Sequence, residues 1–271
     1  MSTQPPSARI VHPSSSRIEV YADAQAASRA SAESFARQAV EAVQARGRFS
    51  VALSGGSAPE QSYRMLGHEP FRSMIPWDGV HLFWGDDRCV TPGHPRSNFR
   101  MANAAFITRV PIPPRNVHRM PGELPPSEGA AKYAAELEAF FGPGVPRFDL
   151  VHLGIGPDGH TASLFPFDDL LRNGERTVGW SLHRPLGEWR LTLTLPVLNA
   201  ARHVEMLALG AGKASIVRAA LEGPIDPYRI PAQLVRPSGE MVWMVDRGAA
   251  RETGPGRGVA FDSGYGGGRR R

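Results

Sequence analysis

The sequence predicts an α/β protein: a mainly parallel sheet with helices on both faces and a small antiparallel addition. Three observations carry this. Short apolar runs of strand character alternate with segments of helical periodicity along most of the chain, the pattern of parallel strands joined by crossover helices. Several of those runs stop abruptly in glycine-rich or charged turns. Residues 177–182 and 190–195 read as consecutive strands with no helix between them. The second alternates Thr and Leu strictly, as a half-buried antiparallel strand does.

Residues 1–16, with their Pro and Ser, are expected to be a disordered lead-in. Residues 17–21 alternate and form the first strand. Asp23 then serves as N-cap of an alanine-rich helix that runs to about Arg46 and stops at Gly47. Residues 49–53 are the second strand, and a helix follows from Ala58-Pro59 to about Leu66. Residues 80–84 are the third strand, and Ser97-Asn98 can cap a helix over 99–108. A short strand is predicted at 116–120, a helix at 128–140, and a buried strand at 148–153. Beyond the antiparallel pair come a helical turn at 196–201, a strand at 203–209, a helix from Lys213 to Leu221, and strands at 231–236 and 241–245. No linker divides the middle, so residues 17–251 are expected to be one domain and 252–271 a Gly/Arg-rich, disordered tail.

Composition narrows the function classes. The chain has 271 residues, 41% hydrophobic and 21% charged, enough for a sizeable core. No apolar run approaches the ~20 residues that span a bilayer, and residues 1–16 lack the apolar segment of a secretory signal. Cys89 is the single cysteine, which excludes an intrachain disulfide and a four-cysteine zinc site and points to a reducing cytoplasm. Net charge is +5, but Arg269, Arg270 and Arg271 account for much of it, and no basic helix or aromatic–basic interleaving is present. A small anionic ligand explains the surplus, and neither nucleic acid nor membrane is expected as a partner. A monomer or weak homo-oligomer is expected.

The chemistry concentrates in turns that follow strands. The richest spans residues 154–166, where three glycines, Asp158, His160, Thr161 and Ser163 arrive together. Asp158 and His160 could form an oriented acid–imidazole pair. The Ser54-Gly55-Gly56-Ser57 turn stands between a strand and a helix start, where backbone N–H groups and the helix dipole favour phosphate. It lacks the lysine of a P-loop. Gly85-Asp86-Asp87-Arg88 puts charge at another strand end. A divalent metal there would need a third oxygen ligand at useful spacing, and none is present, so no metal is expected. Lys213, in Gly210-Ala211-Gly212-Lys213, could supply the cation that the Ser54–Ser57 turn lacks.

Together these motifs resemble the 6-phosphogluconolactonase family. Leu53–Ser57, Gly85–Arg88 with Ser97-Asn98, residues 154–166, residues 190–199, Gly212-Lys213-Ala214, and Arg236-Pro237 with Trp243 and Asp246 carry the resemblance, in order, over residues 18–250. It implies a modified Rossmann-like sheet similar to that of glucosamine-6-phosphate deaminase. It also implies hydrolysis of 6-phospho-D-glucono-1,5-lactone in the oxidative pentose phosphate pathway, with no cofactor. His160 would be the general base, with Asp158 or Asp86 orienting it. Ser54, Gly55, Gly56 and Ser57 would hold phosphate, with Arg88 or Lys213 adding charge. Arg88 or N–H groups of the 154–160 loop would stabilise the oxyanion, and Asn98 and Arg190 would contact substrate. The related deaminases place an acid soon after the histidine, whereas this loop continues Thr161-Ala162-Ser163-Leu164-Phe165-Pro166. Position 87 is Asp where Glu is more common, Ala58 replaces a common Thr, and residues 182–188 fit the family pattern poorly.

Overall fold

A computed structural model describes residues 16–254 and the backbone of residues 259–261. The elements in chain order are β1 (Ser16–Tyr21), α1 (Ala24–Arg46), β2 (Phe49–Leu53), α2 (Ser57–Leu66), α3 (Phe71–Met74), β3 (Val80–Trp84), β4 (Asp86–Arg88), α4 (Asn98–Ala105), α5 (Pro126–Phe141), β5 (Leu150–Gly154), β6 (Val178–His183), β7 (Glu188–Leu193), α6 (Leu195–Ala200), β8 (His203–Ala208), α7 (Ala214–Glu222), β9 (Glu240–Asp246), α8 (Arg247–Ala250) and β10 (Val259–Phe261).

Seven strands form one sheet in the order β10-β1-β9-β8-β5-β2-β3, and every pairing in it is parallel. Residues 49–53 are all buried, which is why this strand reads as an apolar run broken only by Ser50 rather than an alternating one. Helices cover both faces. In α1 the expected caps form: Asp23 accepts from the Ala26 N–H at 2.8 Å, and the Gly47 N–H donates to Val43 O at 2.8 Å. The core is continuous, with Trp84, Tyr63, Tyr133 and Phe35 among its largest fully buried side chains.

The strand order places the chemistry. From β2 the chain steps to β3 on one side, whereas β5, β8 and β9 extend the sheet on the other. The turns after β2 and β5 therefore flank the point where the winding reverses, the crevice in which open parallel sheets bind ligands. The turns after β3 and β8 adjoin it.

A second sheet, ordered β4-β7-β6, is antiparallel. Asp86-Asp87-Arg88, expected to be a turn, is a strand here because it pairs with Thr192, Leu191 and Arg190. Two predicted strands do not form. Residues 231–234 form a 3₁₀ turn begun by Pro231, with the Asn199 side chain accepting from the Arg236 N–H at 2.6 Å and donating to Leu234 O at 3.1 Å. The predicted strand at 116–120 is reduced to a single bridge from Val117 to Leu82, and its first residue, Asn116, closes a 3₁₀ turn over Pro114–Asn116. In the expected tail, Val259–Phe261 pair in parallel with β1. The rest of that tail past Gly254, and residues 1–15 of the expected lead-in, lie outside the described residues.

One histidine makes stability pH-dependent. His81, on the edge strand β3, lies with Nδ1 3.2 Å from His118 Nε2, and His118 Nδ1 lies 2.8 Å from Glu136 Oε1. Burial, then the positive fields of His118, Arg48 and Arg115, push the His81 imidazole down to about 4. The unfolded chain therefore binds more protons between pH ~6.5 and ~4, so this contribution is complete above that window and is lost as pH falls through it. His81 is only partly buried, so solvent screening reduces the loss to about 1–2 kcal/mol. His81→Phe is expected to narrow the gap between urea midpoints measured at pH 7 and pH 4.5.

Candidate active site

The 154–166 loop leaves the end of β5 and is closed on itself. The Gly156 N–H donates to His160 O at 2.8 Å, the Gly159 N–H to Gly156 O at 3.0 Å, and Thr161 Oγ1 to Gly154 O at 2.8 Å. Within it, His160 Nδ1 stands 2.5 Å from Asp158 Oδ1, and the His160 N–H donates to the same oxygen at 3.2 Å. A carboxylate accepts only, so Nδ1 carries the proton and Nε2 is left as the basic nitrogen. Burial disfavours the Asp158 anion, but the hydrogen bond and charge of His160 outweigh it and hold the carboxyl below its ordinary value. Gly156 makes the pairing possible. A Cβ there would lie 2.1 Å from His160 Nδ1 and 2.7 Å from Asp158 Oδ1.

Two further residues anchor the loop. Lys213, expected at the Ser54–Ser57 turn, instead donates from Nζ to Ile155 O at 2.8 Å. It follows β8, the neighbour of β5, so its four-carbon stem reaches the nearer loop. Burial lowers its ammonium pKa, with Asp158 opposing. Ser163 donates from Oγ to Asp86 Oδ2 at 2.6 Å and from its N–H to Thr192 Oγ1 at 3.2 Å. Between these anchors Ala162 is held at φ 47°, a left-handed conformation that costs a non-glycine residue of order 1 kcal/mol. Asp86 thus anchors the loop to the small sheet, and the carboxylate at His160 is Asp158.

The antiparallel sheet supplies the cations. Cross-strand partners share a face, and so do alternate residues on one strand. Asp86 and Arg88 oppose Thr192 and Arg190, while Ser181 and His183 oppose Arg190 and Glu188. All seven therefore project from the same face. The other face packs on α5, where a Cβ at Gly129 would lie 3.1 Å from Leu191. Asp87 points that other way and is spent locally: it accepts from the N–H groups of Asn98 at 2.7 Å and Phe99 at 3.1 Å and from Ser97 Oγ at 3.1 Å.

Arg88 and Arg190 form a like-charged pair directly opposite one another, an arrangement that is unfavourable without a shared anion. The Nε atoms of both are buried without a hydrogen-bond partner among the described residues. Burial and then the Arg88 charge lower the pKa of the Arg190 guanidinium, opposed by Asp86 and Glu188. Glu188 Oε2 lies 2.7 Å from Arg190 Nη2, and its Oε1 lies 3.0 Å from Arg96 Nη2. Asn98 sets the aim of Arg88. Its Oδ1 accepts from Arg88 Nη1, and its Nδ2 donates to Asp86 O at 2.8 Å. Asn98 also packs on the phosphate-type turn, since a Cβ on Gly55 would fall 1.9 Å from its Oδ1. The Ser54–Ser57 turn is therefore brought against Arg88 as expected of one site, and Asn98 is the piece that joins them.

In that turn the Ser54 N–H is already engaged, donating to Tyr63 Oη at 3.0 Å. Tyr63 Oη in turn lies 3.1 Å from His152 Nδ1, and His152 Nε2 lies 3.2 Å from Glu205 Oε2. The N–H groups of Gly55 and Gly56 have no acceptor among the described residues. Tyr63→Phe leaves a buried N–H and an imidazole nitrogen without their common partner. It is expected to cost about 2 kcal/mol in urea-unfolding free energy.

His183, Glu188 and Tyr63 were not singled out in the sequence. The first two lie in the 182–188 hairpin, which matches no motif. Glu188 shares the Arg190 face by alternation along β7, and only the register of β6 on β7 brings His183 to that face. Among the described residues no group of three or more His, Cys, Asp or Glu stands where it could hold a metal ion, and no helix is long and apolar enough to cross a membrane.

Comparison with known proteins is consistent with this geometry. Residues 22–243 match the family model described as glucosamine-6-phosphate isomerases/6-phosphogluconolactonase. A 6-phosphogluconolactonase of Synechocystis is 40% identical over 79% of this chain and 89% of its own. The Homo sapiens 6-phosphogluconolactonase is 39% identical over 88% of this chain and 94% of its own. The solved structure of 6-phosphogluconolactonase from Thermotoga maritima superposes with a TM-score of 0.74 at 29% identity, covering 85% of this chain and 99% of that one.

Proposed function

This chain belongs to the glucosamine-6-phosphate isomerase/6-phosphogluconolactonase family and is a hydrolase of a sugar-phosphate lactone; we propose that it opens 6-phospho-D-glucono-1,5-lactone to 6-phospho-D-gluconate with His160 as general base. The observation that carries the mechanism is the Asp158–His160 contact at 2.5 Å, which leaves Nε2 unprotonated and aimed away from its carboxylate.

A lactone carbonyl is already electrophilic, so a positioned base acting on water suffices, typically contributing ~10²–10⁴-fold. His160 Nε2 takes the proton as the water oxygen attacks C1, and Asp158 stabilises the resulting imidazolium. Three of the loop's N–H groups, those of Gly156, Gly159 and His160, are consumed within it and are not the oxyanion donors. The phosphate is held by the N–H groups of Gly55 and Gly56, the α2 N-terminus, and the guanidinium groups of Arg88 and Arg190, whose mutual repulsion a dianion relieves. Asn98 positions Arg88, Lys213 supports the base loop from below, and Ser57 adds a hydroxyl. No acid stands in the 161–166 continuation to serve a ring-opening deaminase: Thr161 and Ser163 are fully buried and bonded to Gly154 and Asp86. The same reading places the protein in the cytoplasm, without cofactor, as a monomer or weak homo-oligomer.

The test is to generate the lactone in situ from glucose 6-phosphate and its dehydrogenase and to follow ring opening. Acceleration above the spontaneous rate is expected, and its absence overturns the reading.

A further inference from the structure

The β6–β7 hairpin carries a second imidazole into the site. The His183 ring centroid is 6.4 Å from that of His160, and the Phe165 ring lies 5.0 Å from each. His183 Nδ1 is buried without a hydrogen-bond partner among the described residues, which leaves Nε2 as the nitrogen open to a bound molecule. On the sheet face that holds the arginines, His183 stands two residues along β6 from Ser181, the partner of Arg190. It is thus flanked by the proposed phosphate site on one side and the proposed base on the other.

The bonding of the substrate assigns meaning to that place. In a 6-phosphoglucono-1,5-lactone the phosphate is on C6, C6 is bonded to C5, and C5 is joined through the ring oxygen O5 to the carbonyl carbon C1. With phosphate at Arg88 and Arg190 and C1 at His160, O5 lies between them. O5 is the atom that leaves. We infer that His183 is a further catalytic residue that donates an N–H hydrogen bond to the departing ring oxygen, an inference that rests on the lactonase reading above.

The step balances. The water oxygen bonds to C1 while its proton passes to His160 Nε2. The C1–O5 bond then breaks and its electron pair moves to O5. O5 takes the proton held by His160 while the His183 N–H stabilises the charge developing there, and the new carboxylic acid loses its proton to solvent. A neutral imidazole is the suitable donor, because it polarises the oxygen without carrying charge beside two arginines. Burial and the fields of Arg190 and His160 hold His183 below its ordinary pKa, opposed by Asp158 and Glu188, which keeps it neutral at pH 7.

The experiment measures kcat, KM and thermal midpoint for His183→Ala and His183→Gln on lactone generated in situ, with the Kd of 6-phosphogluconate measured in parallel. Loss of one donor at a charge-developing oxygen is expected to lower kcat by at least ~10-fold. Affinity for 6-phosphogluconate should stay within about threefold, since its phosphate contacts remain, and Gln, which retains an N–H, should recover part of the rate. His183→Phe keeps a ring against Phe165 without either nitrogen and carries the same expectation as Ala should the smaller residue disturb the hairpin. Near wild-type kcat in the Ala and Phe variants overturns the inference alone. So does a loss that follows product affinity or thermal midpoint, which would mark His183 as a packing residue. Failure of the wild type to accelerate ring opening overturns the lactonase reading and this inference with it.

Discussion

His160→Ala is expected to lower kcat at least ~10²-fold while leaving KM and the thermal midpoint close to those of the parent. The imidazole is three-quarters buried against its own loop, yet among the described residues its only side-chain hydrogen bond is to Asp158, so its removal strips the base without unseating a structural partner. Gly156→Ala makes the companion test. The added methyl would stand 2.1 Å from Nδ1 and 2.2 Å from Cε1 of His160, and the ring can escape only by giving up Asp158. A comparable loss of kcat is expected from one methyl group placed away from the substrate. Rates measured on lactone generated in situ check both variants. Turnover near the parent rate in His160→Ala would remove it as the base.

Arg88→Ala is expected to raise KM by roughly 10–100-fold with a smaller change in kcat. A guanidinium–phosphate contact is made in ground state and transition state alike, so its loss appears as uniform binding. A fall confined to kcat would assign Arg88 to the oxyanion instead. Stability should respond differently from binding. Removing Arg88 breaks its hydrogen bond to Asn98 but also relieves the charge facing Arg190, so the thermal midpoint should hold or rise slightly. Arg88→Lys should recover little of the affinity, because an ammonium cannot reproduce the two-pronged contact that Asn98 aims.

The central strands of the main sheet were legible because they are buried on both sides. Runs such as residues 49–53 and 80–84 are apolar apart from Ser50 and His81, and few other elements produce that signature. Asp158 and His160 were legible for a different reason: their contact spans two residues, and a glycine at 156 gives the ring its space. The predicted strands at 231–236 and 116–120 misled because short runs bounded by proline satisfy a strand pattern while distant side chains decide the backbone. Asn199, some thirty-five residues from Leu234, holds the first of them.

Taken alone, the chain determined the fold class, the family and the identity of the groups at each strand end, because local patterns of burial, glycine and charge record them directly. It did not determine what those groups touch. Lys213 could have faced either glycine turn, Asp86 or Asp158 could have met His160, and Asn98 was one polar residue among many. Those choices follow from strand order and register, which bring β8 beside β5 and set Arg190 against Arg88. His183 is the clearest case. Nothing within its own segment marks it, and only pairing with a strand of known facing turns its imidazole toward the site. Long-range pairing is chosen by the total burial and hydrogen bonding of the whole sheet, and no short stretch of sequence contains that sum.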